Sequence, residues 1–390
     1  MTICPRSEKL RQPVRDVVIV GGRAAGAATA MLLARAGVDV LVVDRAGYGS
    51  ETLSSHALMR NAVDQLARWG LLDKVAATTP PINRTVFDFA GERVVVPSAK
   101  SGDSPLYAPR RTVLDPILVD AARDAGAEFR FHTRVTELIR DTTGRVRGVV
   151  TEDEVGRRNP VGATLVVGAD GLRSFVARNV DAPTTRSGHH ALASLYAYVR
   201  QAELPIDDYW FAYGDRLVGG SIPTNDDQHV IFASMSLADF QLVRLDPQMA
   251  LIRSLGRVSR SLGDGARAGT IVGAFRSFPG CRGRFLKPHG RGWALVGDAG
   301  FFKDPAAAHG LSDALRDAEL LSAAILTSNL DDYERVRDTL SMPLFEHIDR
   351  LASLDWQPHE SAKLLAEMGR AMAAETDALR LHRASSAVFG

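Results

Sequence analysis

Gly21, Gly22 and Gly26 follow the apolar run Asp16–Val20, and Asp44 comes 23 residues after Gly21. Residues of these types at this spacing suit nucleotide binding. Glycine lets backbone approach a pyrophosphate, N–H groups at a helix start face the phosphates, and a carboxylate ending the next strand accepts ribose hydroxyls. Gly21 and Gly26 fill the outer places of the G-x-G-x-x-G template, whereas Arg23 stands at the middle one. A carboxylate at Asp44 also disfavours a 2′-phosphate, so the implied ligand is an adenine dinucleotide of the FAD or NAD type. A tight strand-to-helix turn with no ligand would use the same glycines.

The elements that must hold these residues show in the periodicity. Asp16–Val20 reads as a buried strand, Ala24–Ala36 as a helix closed by Gly37, and Val38–Val43 as a second strand, which together make a βαβ unit. Helices are expected over Arg60–Trp69 and Arg111–Ala125, and a hairpin over Thr85–Val96 turning at Ala90-Gly91. Val135–Asp141 and Val146–Thr151 flank a turn at Thr143-Gly144, and Thr164–Val167 is a strand running into Gly168. Between His189 and Phe278 the aromatic-rich alternation predicts an inserted antiparallel layer, with a helical stretch from Asp246 to Leu262 and a loop at Gly263–Gly269. Trp293–Val296 returns as a buried strand, and from Pro305 onward the pattern is mostly helical.

Bulk properties exclude several function classes. The 390 residues suffice for two domains or one large one, and 45% hydrophobic with 24% charged residues is an ordinary globular composition. A formal net charge of +1 gives no global field toward nucleic acid or an anionic membrane. Two cysteines, Cys4 and Cys281, are too few for a disulfide framework or a zinc cage, so no metal site and a reducing, cytoplasmic home are expected. No apolar run nears the roughly 20 residues of a membrane span, and no secretory leader is recognisable.

Two later stretches carry more information: VVGADGLRSFVAR, Val166–Arg178, and GWALVGDAGFFKDPAAAHGLSDALRDAELL, Gly292–Leu321. With the N-terminal turn they resemble, in order and spacing, the three fingerprints of the para-hydroxybenzoate hydroxylase superfamily, the group A FAD-dependent monooxygenases and their relatives. The resemblance runs from Asp16 to about Ile325. A subset of that superfamily carries G-x-R-x-x-G, so Arg23 resembles a variant rather than a loss. Gly22 is then expected to absorb the strained dihedral angles, with Arg23 pointing to solvent in preference to folding back over the phosphates.

The resemblance implies an α/β fold: a Rossmann-type FAD-binding domain of the GR2 flavoprotein kind with an inserted, mainly antiparallel β-sheet substrate domain and C-terminal helices. The implied division is 13–78, 105–186 and 280–330 for a discontinuous FAD-binding domain, 79–104 and 187–279 for the sheet, and 331–390 for the helical segment. Non-covalent FAD would be held by Gly21, Gly22, Arg23, Ala24, Ala25 and Gly26, and by Asp44 and Arg45. Ser55, or Ser54, takes the place of an arginine common in the hydroxylases. Arg111 matches the family's arginine near the phosphates or ribityl chain, with Arg110 as the alternative. Val135 would contact adenine, Asp170 and Gly171 would lie beside the pyrophosphate, and Gly297 and Asp298 by the ribityl chain. Pro305, Ala308, His309 and Gly310 would aim a helix N-terminus at the pyrimidine edge of the flavin.

The function so implied is a monooxygenase that uses NAD(P)H as transient reductant and O₂, acting through a flavin C4a-hydroperoxide on a hydrophobic, aromatic or polyketide-like substrate. A second Gly-rich βαβ unit for the nicotinamide cofactor is not seen. The alternatives are a C=C reductase of the geranylgeranyl reductase type and a non-catalytic FAD-binding protein; the W-x-W-x-I-P segment of flavin-dependent halogenases is not found. No catalytic residue is assigned. His56, Tyr209 and Phe211 are candidates for the substrate pocket, His56 being read either as a helix-entry residue satisfied by backbone or as a substrate-orienting or proton-relay group. Nucleic acid and integral membranes are not expected partners, and an oligomer is left open.

Overall fold

A computed structural model describes residues 14–99, 102–243 and 246–385. Cys4, residue 13 and residues 386–390 of the expected helical segment lie outside them. The Arg15–Val20 strand is buried on both faces because it sits inside a parallel sheet. Val17–Val20 pair with Val40–Val43 on one side, and Val17–Val20 with Leu165–Gly168 on the other. Trp293–Leu295 extends the sheet beyond Arg158–Gly168, and Glu128–Arg130 extends it beyond Val40–Val43, both in parallel. An antiparallel extension, Val146–Glu152 with Arg134–Arg140, and the short strand His289–Gly290 complete eight strands.

The chain leaves the first strand toward one neighbour and returns on the opposite side, so the carboxyl ends of the parallel strands open on one crevice. Gly21, Asp44, Ala169 and Val296 immediately follow the strands that end at Val20, Val43, Gly168 and Leu295. Helix Ala24–Arg35, alanine-rich and almost wholly buried, packs beside helix Gly310–Leu326, whose residues from Leu311 to Ser322 are all buried.

A second sheet has seven strands in the order 270–278, 193–200, 228–235, 217–224, 208–214, 84–89, 92–97. Within 193–278 every pairing is antiparallel, as expected, and the 84–97 hairpin joins this layer through one parallel pair, Asp208–Gly214 with Arg84–Phe89. Strand alternation splits its side chains cleanly. Tyr196, Tyr198, Tyr209, Phe211 and Tyr213 face the crevice-side core, while Leu195, Ala197, Val199, Trp210 and Ala212 pack under helices Pro247–Val258 and Arg260–Ala268. The stretch Gly263–Gly269, expected as a loop, is helical up to Ala268, because Leu262 and Ala266 fall one turn apart on a buried face.

The C-terminal helices Leu330–Leu351 and Pro358–Ser385 close the back of the molecule. Tyr333 donates to the Leu295 carbonyl at 2.9 Å, and the Trp356 ring lies 6.1 Å from that of Tyr213, so one helix anchors the small end of the first sheet and the connection beyond it seals the second. Among the described residues no helix is long and apolar enough to cross a membrane.

Candidate functional site

The turn after the first strand is built by two glycines. Gly21 has φ +104°, and a Cβ there would sit 2.5 Å from the Ala169 carbonyl oxygen, so it is Gly21 and not Gly22 that takes the left-handed conformation. A Cβ on Gly26 would overlap the Gly21 carbonyl oxygen, far inside the 3.0 Å that real Cβ atoms keep. Gly22 needs no unusual dihedral; its N–H donates to Asp44 Oδ2 at 2.6 Å, and the second Asp44 oxygen accepts from Ala46 N at 2.8 Å. A carboxylate has about four lone-pair sites, so the two backbone bonds orient Asp44 and leave capacity for further donors.

Arg23 corrects the expectation of a solvent-directed side chain. Its guanidinium donates to Thr52 Oγ1 at 2.5 Å and to the Glu51 carbonyl at 3.3 Å, tying the segment 50–52 across the turn. No side chain caps helix Ala24–Arg35 at Arg23, so the amides of its first turn, at Ala24, Ala25 and Gly26, are left for a ligand. Arg45 is exposed at the rim, and Val135 is half-buried on the strand next to Thr133, whose N–H donates to the Asp44 carbonyl at 3.0 Å.

The other motifs converge on the same crevice with different roles. Asp170 accepts from Ser174 Oγ (2.5 Å), Phe175 N (2.6 Å) and Val176 N (3.2 Å), so its carboxylate caps the short helix Phe175–Asn179 and fixes the loop through Gly171 (φ +76°). Gly297 (φ +60°) is wedged between two helices: a Cβ there would lie 3.0 Å from Ala25 and 3.7 Å from Ala314. Asp298 next to it is open to the crevice yet walled by protein, and that burial, reinforced by Asp313 and opposed by Arg111 and Lys303, pushes its carboxyl up to about 6.

Pro305–Ala307 form a single turn, Ala308 adopts φ +51°, and Gly310 starts a 17-residue helix exposed at its first residue and uncapped by the His309 side chain. Two uncapped helix N-termini therefore meet at the crevice, each a seat for negative charge. Behind the second lies a buried ionic cluster in which Asp313 pairs with Lys303, stands 3.2 Å from His309 Nδ1, and accepts from Arg316 Nη1 at 3.0 Å. Arg316 also bonds Asp317 and Glu375, at 2.7 and 2.6 Å, which ties the last helix to this turn.

Arg110 and Arg111 separate. Arg111, nearly buried, donates to Asp115 Oδ1 at 2.9 Å, and its charge disfavours protonation of Arg23 and His56 and favours the ionised Asp298 carboxyl. Arg110 instead pairs with Glu51 and stacks 4.6 Å over the Tyr198 ring.

His56 is not a helix-entry residue, since the following helix starts at Arg60. It has φ +66°, is 1% exposed, and its Nε2 lies 2.6 Å from Tyr198 Oη, while its Nδ1 is buried with no hydrogen-bond partner. Burial, and then the charges of Arg111, Arg110 and Arg276, drive its pKa down to about 3, so the ring is neutral. Ser55 is half-buried just before it. Tyr209 is pinned into the core by donating to the Tyr107 carbonyl at 2.6 Å, and Phe211 is packed between Phe87 and Phe232. The polar aromatics beside His56 are instead Tyr196 and Tyr198. Glu51 and Arg276, absent from the sequence-based candidates, join them; nothing local in the sequence couples residues 225 positions apart.

Residues 15–243 match the family model described as FAD binding domain. The chain is 27% identical to menaquinone reductase of Mycolicibacterium smegmatis over 86% of this chain and 81% of that protein. It is 31% identical to tetracenomycin B2 monooxygenase-dioxygenase of Streptomyces olivaceus over 48% of this chain, which is 39% of that longer protein. Among solved structures, a flavin-dependent brominase superposes with a TM-score of 0.77 at 19% identity, covering 95% of this chain and 99% of the other, which shows a shared fold.

Proposed function

We infer, for a chain that belongs to the FAD-binding domain family and is an FAD-dependent oxidoreductase, that the reaction is the monooxygenation of a hydrophobic, aromatic or polyketide-like molecule with NAD(P)H and O₂. The observation that carries this reading is the meeting of two uncapped helix N-termini, the Gly21/Gly26 turn and Asp298 in one crevice bordered by the aromatic face of the second sheet.

The residues present fit FAD. Gly21 through Gly26 would receive the pyrophosphate, Asp44 the adenosine ribose, Asp298 the ribityl chain, and the Gly310 helix end the pyrimidine edge. When bound, FAD supplies two-electron chemistry with the nicotinamide and with O₂. The chain's own part is to hold it, to stabilise negative charge at the helix end without reorganisation, and to keep water off the reacting face. The neutral His56 and the hydroxyl of Tyr198 form a polar edge on that aromatic wall. We divide the chain accordingly, with 13–78, 105–186 and 280–330 binding FAD and the sheet segments 79–104 and 187–279 holding substrate.

A second reading, a reductase, of which C=C reduction is the form the sequence suggested, is favoured by one observation: the match to menaquinone reductase extends over most of both proteins, whereas the monooxygenase match stops near half of this chain. Stopped-flow absorbance separates the two. FAD-loaded protein, reduced anaerobically and mixed with oxygenated buffer, is expected to pass through a transient spectrum unlike oxidised or reduced flavin. Direct reoxidation with no transient, with or without an aromatic ligand present, would instead support the reductase.

A further inference from the structure

Beside His56 the crevice wall holds two guanidinium groups that share a single close carboxylate. Arg110 and Arg276 converge on one carboxylate, that of Glu51, which pairs with an Nη2 of each. The other acidic contact, Asp226 to Arg110, is long at 3.5 Å and largely exposed. The Nε atoms of both arginines are buried with no hydrogen-bond partner, and so is Nδ1 of His56, whose side chain is almost wholly enclosed. A buried polar atom left unpaired costs about 1–3 kcal/mol, and three of them meet in this one cluster, where an incoming polar group could regain bonds.

The surroundings define the shape of what fits. Arg276 lies opposite Tyr196 on adjacent strands, Arg110 covers the Tyr198 ring, and the Tyr196 hydroxyl accepts from Ser54 N at 3.3 Å. Two guanidinium groups flanked by aromatic surface suit a planar oxyanion attached to a ring. Glu51 stands on the segment that Arg23 holds by its backbone, so the carboxylate can swing out by side-chain rotation while the loop stays tied to the glycine turn.

We propose that Glu51 is an internal stand-in for the substrate's acidic group: a carboxylate or phenolate on an aromatic substrate displaces it and takes the seat between Arg110 and Arg276. This rests on the reading of the sheet face as the substrate wall, and it narrows the expected hydrophobic substrate to one with an anionic head.

The test is calorimetric titration of FAD-loaded protein with benzoate, with its neutral isostere benzamide, and with inorganic phosphate. Glu51→Gln, which keeps the shape but removes the competing charge, is expected to tighten benzoate about tenfold and leave benzamide unchanged. The double variant Glu51→Gln/Arg276→Gln, which removes one of the two guanidinium groups along with the competing carboxylate, is expected to lose that gain. The proposal is overturned if Glu51→Gln fails to tighten benzoate, tightens benzamide equally, or improves phosphate alone. Because no turnover is measured, this result and the stopped-flow result fail independently.

Discussion

Substituting Gly26 by alanine sets two physical effects against each other. Gly26 lies in the first turn of helix Ala24–Arg35, where Gly→Ala ordinarily stabilises a helix by about 1 kcal/mol. Here the new Cβ would overlap the Gly21 carbonyl oxygen, approach the Gly21 carbonyl carbon to 3.0 Å and meet Ala169 Cβ at 3.1 Å. Two of those three atoms are backbone, so no rotamer change relieves the contact and the helix must move away from the strand turn. Overpacking that shifts backbone costs roughly 1–3 kcal/mol or more, which exceeds the propensity gain, so a net loss of about 2 kcal/mol is expected. Gly369→Ala is the matched control: it sits exposed in helix Pro358–Ser385 with nothing within 4 Å, and should gain the full helical increment. Urea denaturation of the apoprotein reads both, and FAD titration should show weakened binding for Gly26→Ala alone. A Gly26→Ala protein as stable as the parent would refute the close strand-to-helix contact on which the site is built.

Asp298→Ala should weaken FAD by about ten- to a hundredfold in a flavin-fluorescence titration, the worth of one hydrogen bond to a charged group, while the stability of the apoprotein, in which Asp298 is exposed, changes by no more than about 0.5 kcal/mol. Tyr209→Phe leaves the Tyr107 carbonyl short of its 2.6 Å donor and should cost about 1–2 kcal/mol in denaturation without changing FAD affinity; a lost substrate response with unchanged stability would return Tyr209 to the pocket. His56 is protonated in the unfolded chain below about 6.5 and neutral in the folded protein down to about 3. The unfolded state therefore binds the extra proton between those values, and apoprotein stability should fall on acidification through that window by up to about 1.4 kcal/mol per pH unit. His56→Gln should flatten that slope, and an unchanged slope would mean the ring is not held neutral.

The sheet of parallel strands and its crevice were legible because their causes are local. A β-branched run between turn residues has few options but a buried strand, and glycines at Gly21 and Gly26 with a carboxylate at Asp44 follow from the geometry of one βαβ unit. The Gly310 helix start was legible from its motif for the same reason. Alternation likewise means that only about half of the aromatic side chains in the second sheet can face the crevice, though which half depends on register.

Partner choice was decided elsewhere. Whether Gly21 or Gly22 takes the positive φ depends on how close Ala169, just past the end of the neighbouring strand and 148 residues along the chain, approaches the turn. Asp170 is spent as a helix cap, Arg23 reaches a loop rather than solvent, and Tyr209 bonds a carbonyl of the 107 segment. The meeting of Glu51 with Arg110 and Arg276 joins a loop, a helix entry and an edge strand. Sequence by itself determined the turns and helix ends that border the crevice, since these are set by neighbours in the chain. Only the packing of distant strands decided which charges face each other across it, because Coulomb attraction and hydrogen bonding act over a few ångströms of space and carry no memory of separation along the chain.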